Sequence, residues 1–272
     1  MKTILVINDN SPEGLHAAKF ALNIAHKMQA AVLLANVIPV EQYAQQVLAA
    51  ESAENAAEHA NERLEQLTGI SQAFNGFKPE ISELDISGMD ADELAQMINK
   101  NDVLMVAKGT PDNLPVFKNK LNVHTVLNKV RCPLLLIPEK WRIKNIERIV
   151  YVADMRYCRT QIVNLLAEMA RACDASLSVA HLSAKGIPDL EENYANSIFK
   201  KEVYDRLSYK SVFFNNIREK DLEKAIDVII NGMHNELLAL INHRFHFEEI
   251  FGRYLTDVLP PNITIPVLIF PY

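Results

Sequence analysis

The sequence predicts an α/β protein of two tandem domains, each a doubly wound, five-stranded parallel sheet. Three observations support this fold class. Short apolar and β-branched runs alternate with longer helical patterns, which is typical of βαβ units. The order of these segments repeats in the second half of the chain. The length of 272 residues suits two domains of about 100–150 residues each.

The first half holds five predicted strands: Thr3–Ile7, Ala31–Val37, Glu80–Asp85, Val103–Ala107 and Leu134–Ile137. Helix Gly14–Met28 follows the first strand, because apolar residues recur there at helical spacing. A long helix over about residues 41–67 follows the second strand. The acidic cap Asp90–Glu93 opens a third helix, and Val116–Val130 forms the fourth.

The second half repeats this plan. Its predicted strands are Arg148–Val152, Ser176–His181, Ser211–Asn215, Glu236–Ile241 and Val267–Phe270. Its predicted helices are Arg159–Cys173, Leu190–Leu207, one that opens at Asp221–Glu223, and Phe247–Leu259. The matching order indicates that the two halves are duplicated and diverged copies.

Matching prolines support this repeat, since Pro133 and Pro266 open the last strand of each half. We therefore predict one domain at residues 1–138 and a second at residues 146–272. The linker between them is Glu139–Asn145, which contains the only tryptophan of the chain.

Composition excludes several classes of protein. The net charge is −6, and no run of lysine or arginine exceeds two residues, whereas nucleic-acid binding proteins concentrate basic residues on one face. No apolar stretch approaches the ~20 residues of a membrane span, and no secretory signal pattern is present. The three cysteines form no CxxC pair, which favours reduced thiols. We expect a cytoplasmic protein that binds neither nucleic acid nor membrane.

The predicted topology also says where a ligand would bind. In open parallel sheets, ligands bind at the carboxyl ends of the strands, beside the point where the strand order reverses. Asn8 and Asp9 end the first strand, and Lys108 and Gly109 follow the fourth. We therefore expect these residues to share one edge of the first sheet and to form its candidate site.

Several segments of the chain resemble the universal stress protein family. They are Ile4–Ser11, Leu33–Val37, Asp102–Thr110 and Cys132–Ile137 in the first half, with Tyr151–Asp154 and Ile265–Phe270 in the second. The resemblance covers nearly the whole chain and implies a tandem member with an adenine nucleotide alpha hydrolase-like fold. It also implies that the two copies pair through their final strands as an internal pseudo-dimer. A homodimer of whole chains stays open.

The resemblance implies positions for a nucleotide site. In ATP-binding members an aspartate after the first strand meets the nucleotide, and the residue that ends the second strand lies beside the base. Asp9 and Val37 match these positions in the first half, and Asp154 and Leu182 match them in the second. A glycine after the fourth strand, a second glycine three residues on, and a later Gly-Ser or Gly-Thr pair hold the phosphates. Gly109, followed by Thr110, matches the first glycine.

The remaining phosphate positions depart from the family pattern. Asp112 stands where the second glycine would be, and Lys120 stands at the Gly-Ser pair. The second half has Asn242–Arg244 after its fourth strand and Arg253 at the Gly-Ser position, although Gly252 leaves a shifted register open. In one interpretation both sites are degenerate and large side chains fill the phosphate pocket. In another, Lys120 and Arg253 bind an anion through charged side chains, and ligands unrelated to nucleotides form a third possibility.

Two histidines raise a metal hypothesis. His243 and His246 lie three residues apart, and Glu248 follows. A catalytic zinc site needs a third well-placed ligand, so we favour a polar loop anchored by aromatic residues, and we predict no metal site. The sequence contains no GxSxG, GxxxxGK[ST] or GxGxxG motif, and we assign no catalytic residue.

These observations predict a non-catalytic, cytoplasmic stress-response or regulatory binding protein with degenerate nucleotide sites. The alternative is an ATP-binding protein, with slow ATP hydrolysis, whose first-domain cleft uses Asp9, Val37, Gly109 and Thr110. ATP in the first domain is the one cofactor that this alternative implies. A structural adaptor with filled clefts and a coloured electron-transfer or photolyase-like protein are further rivals.

Overall fold

In the computed structural model, the structure describes residues 1–37, 50–112, 123–183, 186–243, 245–253, 255–256 and 258–272. For residues 50–60, 123 and 245 only the helical backbone is described. The chain divides into two compact units. The first unit comprises Met1–Ile143, Thr256–Leu259 and Pro271, and the second comprises Lys144–Leu255, Pro260–Phe270 and Tyr272.

The first unit is a parallel sheet with helices between its strands. Its strands are β1 (Thr3–Asn8), β2 (Ala31–Asn36), β3 (Ile81–Asp85), β4 (Val103–Thr110) and β5 (Leu134–Pro138). Its helices are α1 (Pro12–Met28), α2 (Ala50–Ala73), α3 (Ala91–Lys100) and α4 (Val123–Lys129). The strand order is β3-β2-β1-β4-β5, and every pair is parallel. The order reverses between β1 and β4, which places the topological switch point there.

The second unit follows the same path through its own sheet. Its strands are β6 (Arg148–Ala153), β7 (Ser176–Leu182), β8 (Val212–Ile217), β9 (Leu237–Ile241) and β10 (Val267–Phe270). Its helices are α5 (Thr160–Cys173), α6 (Glu192–Ile198), α7 (Leu222–Asp227) and α8 (Phe245–Phe251). The parallel order β8-β7-β6-β9-β10 puts the switch point between β6 and β9. The predicted α/β fold class is confirmed.

The central strands are buried on both faces, as expected for a parallel sheet with helices on each side. Every residue of β5 and of β9 is buried, and the first sheet is covered in part by Phe20 of α1. Trp141, in the predicted linker, is also buried and packs edge-on against Phe20, with ring centroids 5.0 Å apart. This tryptophan therefore belongs to the core of the first unit.

Local side-chain hydrogen bonds fix the starts of several helices. Ser11 caps α1, since its hydroxyl oxygen accepts the backbone N–H of Gly14 at 3.0 Å. Asp90 and Glu93 form a reciprocal capping box at the start of α3, and Asp221 caps α7. The acidic caps predicted from the sequence are therefore confirmed.

Two predicted helices are wrong in extent. The helix predicted at Phe247–Leu259 is α8, which ends at Phe251 because Gly252 follows in a left-handed conformation with φ of +75°. The helix predicted at Leu190–Leu207 is regular only over α6, and a π-helical turn at Phe199–Val203 and a 3-10 turn follow it. The starts of the helices predicted over 41–67 and at Val116–Val130 lie outside the described residues.

Within the described ranges, no helix combines the length and the apolar character that crossing a membrane requires.

Candidate functional site

The carboxyl end of β1 is tied to the start of α1. The Asp9 carboxylate accepts hydrogen bonds from the backbone N–H and the hydroxyl group of Ser11, the residue that caps α1. The carboxylate also lies close to Gly14, where an added Cβ would be 2.9 Å from Asp9 Oδ1. The carboxylate predicted to meet a nucleotide therefore helps to fix the β1–α1 turn.

A row of side-chain hydrogen bonds crosses the ends of the first three strands. The Asn8 amide donates to Asn36 Oδ1 at 2.7 Å, and the Asn36 amide donates to Glu83 Oε1 at 3.0 Å. Val37 follows β2, is buried, and donates its backbone N–H to the Asn8 carbonyl at 2.8 Å. The structure thus brings Val37 to the same edge as Asp9, as predicted. The amide–carboxylate row was missed because it depends on strand pairing.

A guanidinium group reaches this edge from α2. Arg63 Nη1 donates to the Asn10 carbonyl and lies 3.3 Å from Asn10 Oδ1. Asn10 follows β1 and has a left-handed backbone conformation with a φ of +60°, so its carbonyl does not continue the direction of the strand. Arg63 lies among acidic residues in a long helix, and the helical pattern alone gave no signal that it would contact the β1–α1 turn.

Gly109 lies inside β4, which extends beyond the predicted end at Ala107. A Cβ at Gly109 would lie 2.0 Å from the carbonyl oxygen of Glu13, in the first turn of α1. The next residue, Thr110, is buried and donates its hydroxyl to the Ile137 carbonyl at 3.3 Å. Close packing of α1 on β4 is therefore sufficient to explain a glycine here.

Asp112 and Lys120 are the two residues of the first half that depart from the family's phosphate-binding pattern. Asp112 forms an ion pair with Lys140, and the hydrogen bond and charge of Asp112 raise the pKa of Lys140. The Asp112 carboxylate is therefore compensated within the protein. Lys120 lies outside the described residues.

In the second unit, Asp154 is held by a neighbouring guanidinium group. Arg156 Nε donates to Asp154 Oδ1 at 2.8 Å, and Arg156 Nη2 lies 2.5 Å from Oδ2. Burial raises the pKa of the Asp154 carboxyl, but the hydrogen bonds and charge of Arg156 outweigh burial and hold that pKa below its ordinary value. Arg156 also donates to the Pro188 carbonyl at 2.8 Å, so the pair joins the end of β6 to the β7–α6 loop.

The carbonyl of Leu182, at the end of β7, accepts a hydrogen bond from a histidine of α8. His246 donates from Nε2 to this oxygen at 2.8 Å, and only 5% of its surface is exposed. Its Nδ1 atom is buried and has no hydrogen-bond partner among the described residues. Burial lowers the pKa of His246, which favours the neutral ring. Leu182, the residue that matches the family position beside the base, therefore has its carbonyl hydrogen-bonded to an imidazole.

The switch point of the second unit is nearly filled. A cavity of only 20 Å³ remains there, enough for about one water molecule. It is lined in part by Ala153, Asp154, Tyr157, Ile241, His246 and Phe247. Asp154 and His246, the residue that is hydrogen-bonded to Leu182, thus line the same small cavity, whereas Arg253 is exposed beyond α8.

The two histidines of the metal hypothesis face different partners. His243 Nδ1 lies 3.9 Å from Glu248 Oε1, whereas His246 is directed to Leu182. In the part of the chain that the structure describes, no group of three or more His, Cys, Asp or Glu side chains has an arrangement that would hold a metal ion.

Comparison with known proteins decides the family. The model of the universal stress protein family matches residues 1–138. The chain belongs to the universal stress protein family. No curated protein matches the chain. The resemblance predicted from the sequence is confirmed.

Solved structures show the same fold over the whole chain. A universal stress protein from Archaeoglobus fulgidus DSM 4304 is 13% identical, with a TM-score of 0.63 over 99% of this chain and 98% of that one. A putative universal stress protein from Pseudomonas aeruginosa UCBPP-PA14 is 12% identical, with a TM-score of 0.52 over 100% and 93%. A functionally unknown protein from Pseudomonas aeruginosa PAO1 also has a TM-score of 0.52 at 12% identity, over 100% and 92%.

This universal stress protein also has a larger cleft, which the sequence did not predict. It lies outside the carboxyl ends of β7 and β8 and has a volume of about 1170 Å³. Its described lining comes from the β7–α6 loop, the start of α6, the β8–α7 loop and α8. We call it the β7–β8 cleft. Its formation depends on where loops end and which side chains fill the switch point, so no motif could have predicted it.

Proposed function

We propose that this universal stress protein is a non-catalytic, cytoplasmic stress-response or regulatory binding protein whose nucleotide sites, in domains 1–138 and 146–272, are degenerate. One observation carries the proposal. His246 donates a hydrogen bond to the Leu182 carbonyl, and the cavity at the adjacent switch point has a volume of only 20 Å³. A nucleotide would have to displace His246 and the buried Phe247 to enter.

Contacts in the first domain support the same proposal. The Asp9 carboxylate is engaged by Ser11, and the open face of Gly109 is covered by the Glu13 carbonyl. A glycine helps to bind phosphate when its backbone N–H can approach the ligand closely. Here the same glycine is needed for α1 to pack on β4.

Two of the cysteines support a non-catalytic role. Burial raises the pKa of Cys132 to about 11 and that of Cys158 to about 12. Both groups therefore stay protonated at neutral pH and are poor nucleophiles. None of the three cysteines forms a disulfide, which is in keeping with a reducing compartment such as the cytoplasm.

Calorimetric titration of the full chain with Mg-ATP tests the proposal. We expect no saturable binding below millimolar ATP and no hydrolysis above the buffer rate. Micromolar binding of one ATP that is lost in Asp9→Ala would establish the alternative, an ATP site in the first domain with Val37, Gly109 and Thr110. Asp205→Ala, an exposed aspartate of the second unit, is the matched control.

A further inference from the structure

The β7–β8 cleft has the size of a ligand site, and the proposed function assigns no ligand to it. Its volume of about 1170 Å³ is slightly above the range of about 300–1,000 Å³ usual for small-molecule pockets. Three walls surround it: residues 186–193 of the β7–α6 loop and α6, residues 216–222 of the β8–α7 region, and one face of α8.

The described lining is predominantly acidic. Two cationic side chains, Arg218 and Lys220, face five carboxylates: Asp189, Glu191, Glu192, Glu219 and Glu249. Within the described part of the chain, Glu192 is the lining carboxylate that forms an ion pair, and its partner is Arg218. An uneven balance of this kind attracts cations and repels phosphate groups.

The charges are spread out, and apolar side chains lie between them. Carboxylates occur on each of the three walls, while Leu182, Ile187, Pro188, Leu190, Ile217 and Leu222 form the apolar part of the lining. Among the described residues, no three acidic or histidine side chains have an arrangement that would hold a metal ion. An extended organic cation matches this pattern, because its charges are separated by methylene groups.

We propose that the β7–β8 cleft binds a linear polyamine, whose ammonium groups pair with Asp189, Glu191 and Glu249 and whose methylene groups lie on the apolar lining. His246 contributes to the same lining, on the helical face that also carries Glu249. Its Nδ1 atom is buried and has no hydrogen-bond partner among the described residues, so this side chain brings an unsatisfied acceptor to the wall of the cleft. This site shares Leu182 and His246 with the degenerate nucleotide site of the second unit, but it is tested with a cationic ligand and with acidic side chains outside that site, so failure of one proposal can be told apart from failure of the other.

Calorimetric titration of the full chain with spermidine, at low and at raised salt, tests this site. The test variant combines Asp189→Asn, Glu191→Gln and Glu249→Gln. The control variant combines Glu65→Gln, Glu80→Gln and Asp205→Asn, three exposed residues outside the cleft, and changes the net charge equally. Triethylene glycol, Mg²⁺ and oligolysine are the comparison ligands, because each has only some of the features of spermidine.

We expect one spermidine per chain, with binding that weakens as salt increases. The cleft variant should lose about tenfold in affinity, because it removes three partly exposed ion pairs that each contribute modestly. The control variant should keep the affinity of the original chain. Four results would overturn the proposal. The first two are no saturable binding of spermidine at low salt and equal spermidine affinity in the two variants. The others are saturable binding of oligolysine but not of spermidine, and displacement of spermidine by equimolar Mg²⁺ or triethylene glycol.

Discussion

Gly109 has two explanations that differ in what an added methyl group would do. In the family pattern its small size serves a phosphate, but in the structure the missing side chain leaves room for the Glu13 carbonyl. If packing is the reason, a side chain at this position damages the fold even when no ligand is present. The first turn of α1 would have to move away from β4.

We predict that Gly109→Ala lowers the free energy of unfolding by about 1–3 kcal/mol, the usual cost of overpacking. Urea denaturation followed by circular dichroism measures it. Gly69→Ala is the matched control, because a Cβ at Gly69 meets nothing within 4 Å and Gly69 lies inside α2. The control should be neutral or slightly stabilising. Unchanged stability of Gly109→Ala would show that α1 does not need the glycine.

Single residues were predictable where their contacts are local. Asp9 and Asp154 lie where apolar runs end, and their partners Ser11 and Arg156 are each two residues away. Arg63 and His246 were not predictable, because their partners lie 53 and 64 residues distant along the chain. Such contacts depend on how helices pack, which local patterns do not specify.

At the scale of elements, α8 covers the switch point between β6 and β9 in the second sheet. Its His246 contacts β7 through the Leu182 carbonyl, and the adjacent Phe247 is fully buried beside β6 and β9. Glu249, Asp154 and His181 are the charged or titratable groups that act on His246. His181 is itself buried in β7, and burial lowers its pKa as well.

We predict that the protein loses stability as the pH falls below 6.5, the ordinary pKa of histidine. The unfolded chain takes up protons at this pH, but folded His246 and His181 resist protonation because their pKa values are lowered. The stability that these two neutral histidines contribute is therefore fully present above pH 6.5. It is lost as the pH falls from 6.5 towards their lowered pKa values in the folded protein. Urea denaturation at a series of pH values measures the loss.

His246→Gln should reduce this pH dependence, because glutamine does not titrate and its amide can still donate to Leu182. His234→Asn is the control for replacing a histidine with an amide side chain, because His234 has a φ of +53° and asparagine tolerates this conformation. An identical pH dependence in His246→Gln and the original chain would contradict the role given to His246.

The strands were easier to predict than the helices. Parallel strands with helices on both faces form short apolar runs, which are easy to recognise in a sequence, and β10 has the predicted bounds. Helix ends depend on single residues and on packing. Gly252 ends α8 early, and π-helical turns interrupt the helical segments that begin with α6 and α7.

At the scale of the whole molecule, the two units share one strand order but differ in their carboxyl-end edges. The first unit has the Asn8–Asn36–Glu83 row of hydrogen bonds. The second has a filled switch point and the β7–β8 cleft. The shared fold was predictable because the order of βαβ units and their fixed handedness leave few topologies. Whether the carboxyl-end edge of each unit is open or filled was not predictable, because a few long-range side-chain contacts decide it.

The most direct test of this account is a crystal structure determined in the presence of millimolar Mg-ATP. We predict that His246 still donates to the Leu182 carbonyl, that Phe247 still fills the space between β6 and β9, and that no nucleotide lies there. A nucleotide at this switch point, with His246 displaced from Leu182, would contradict the account.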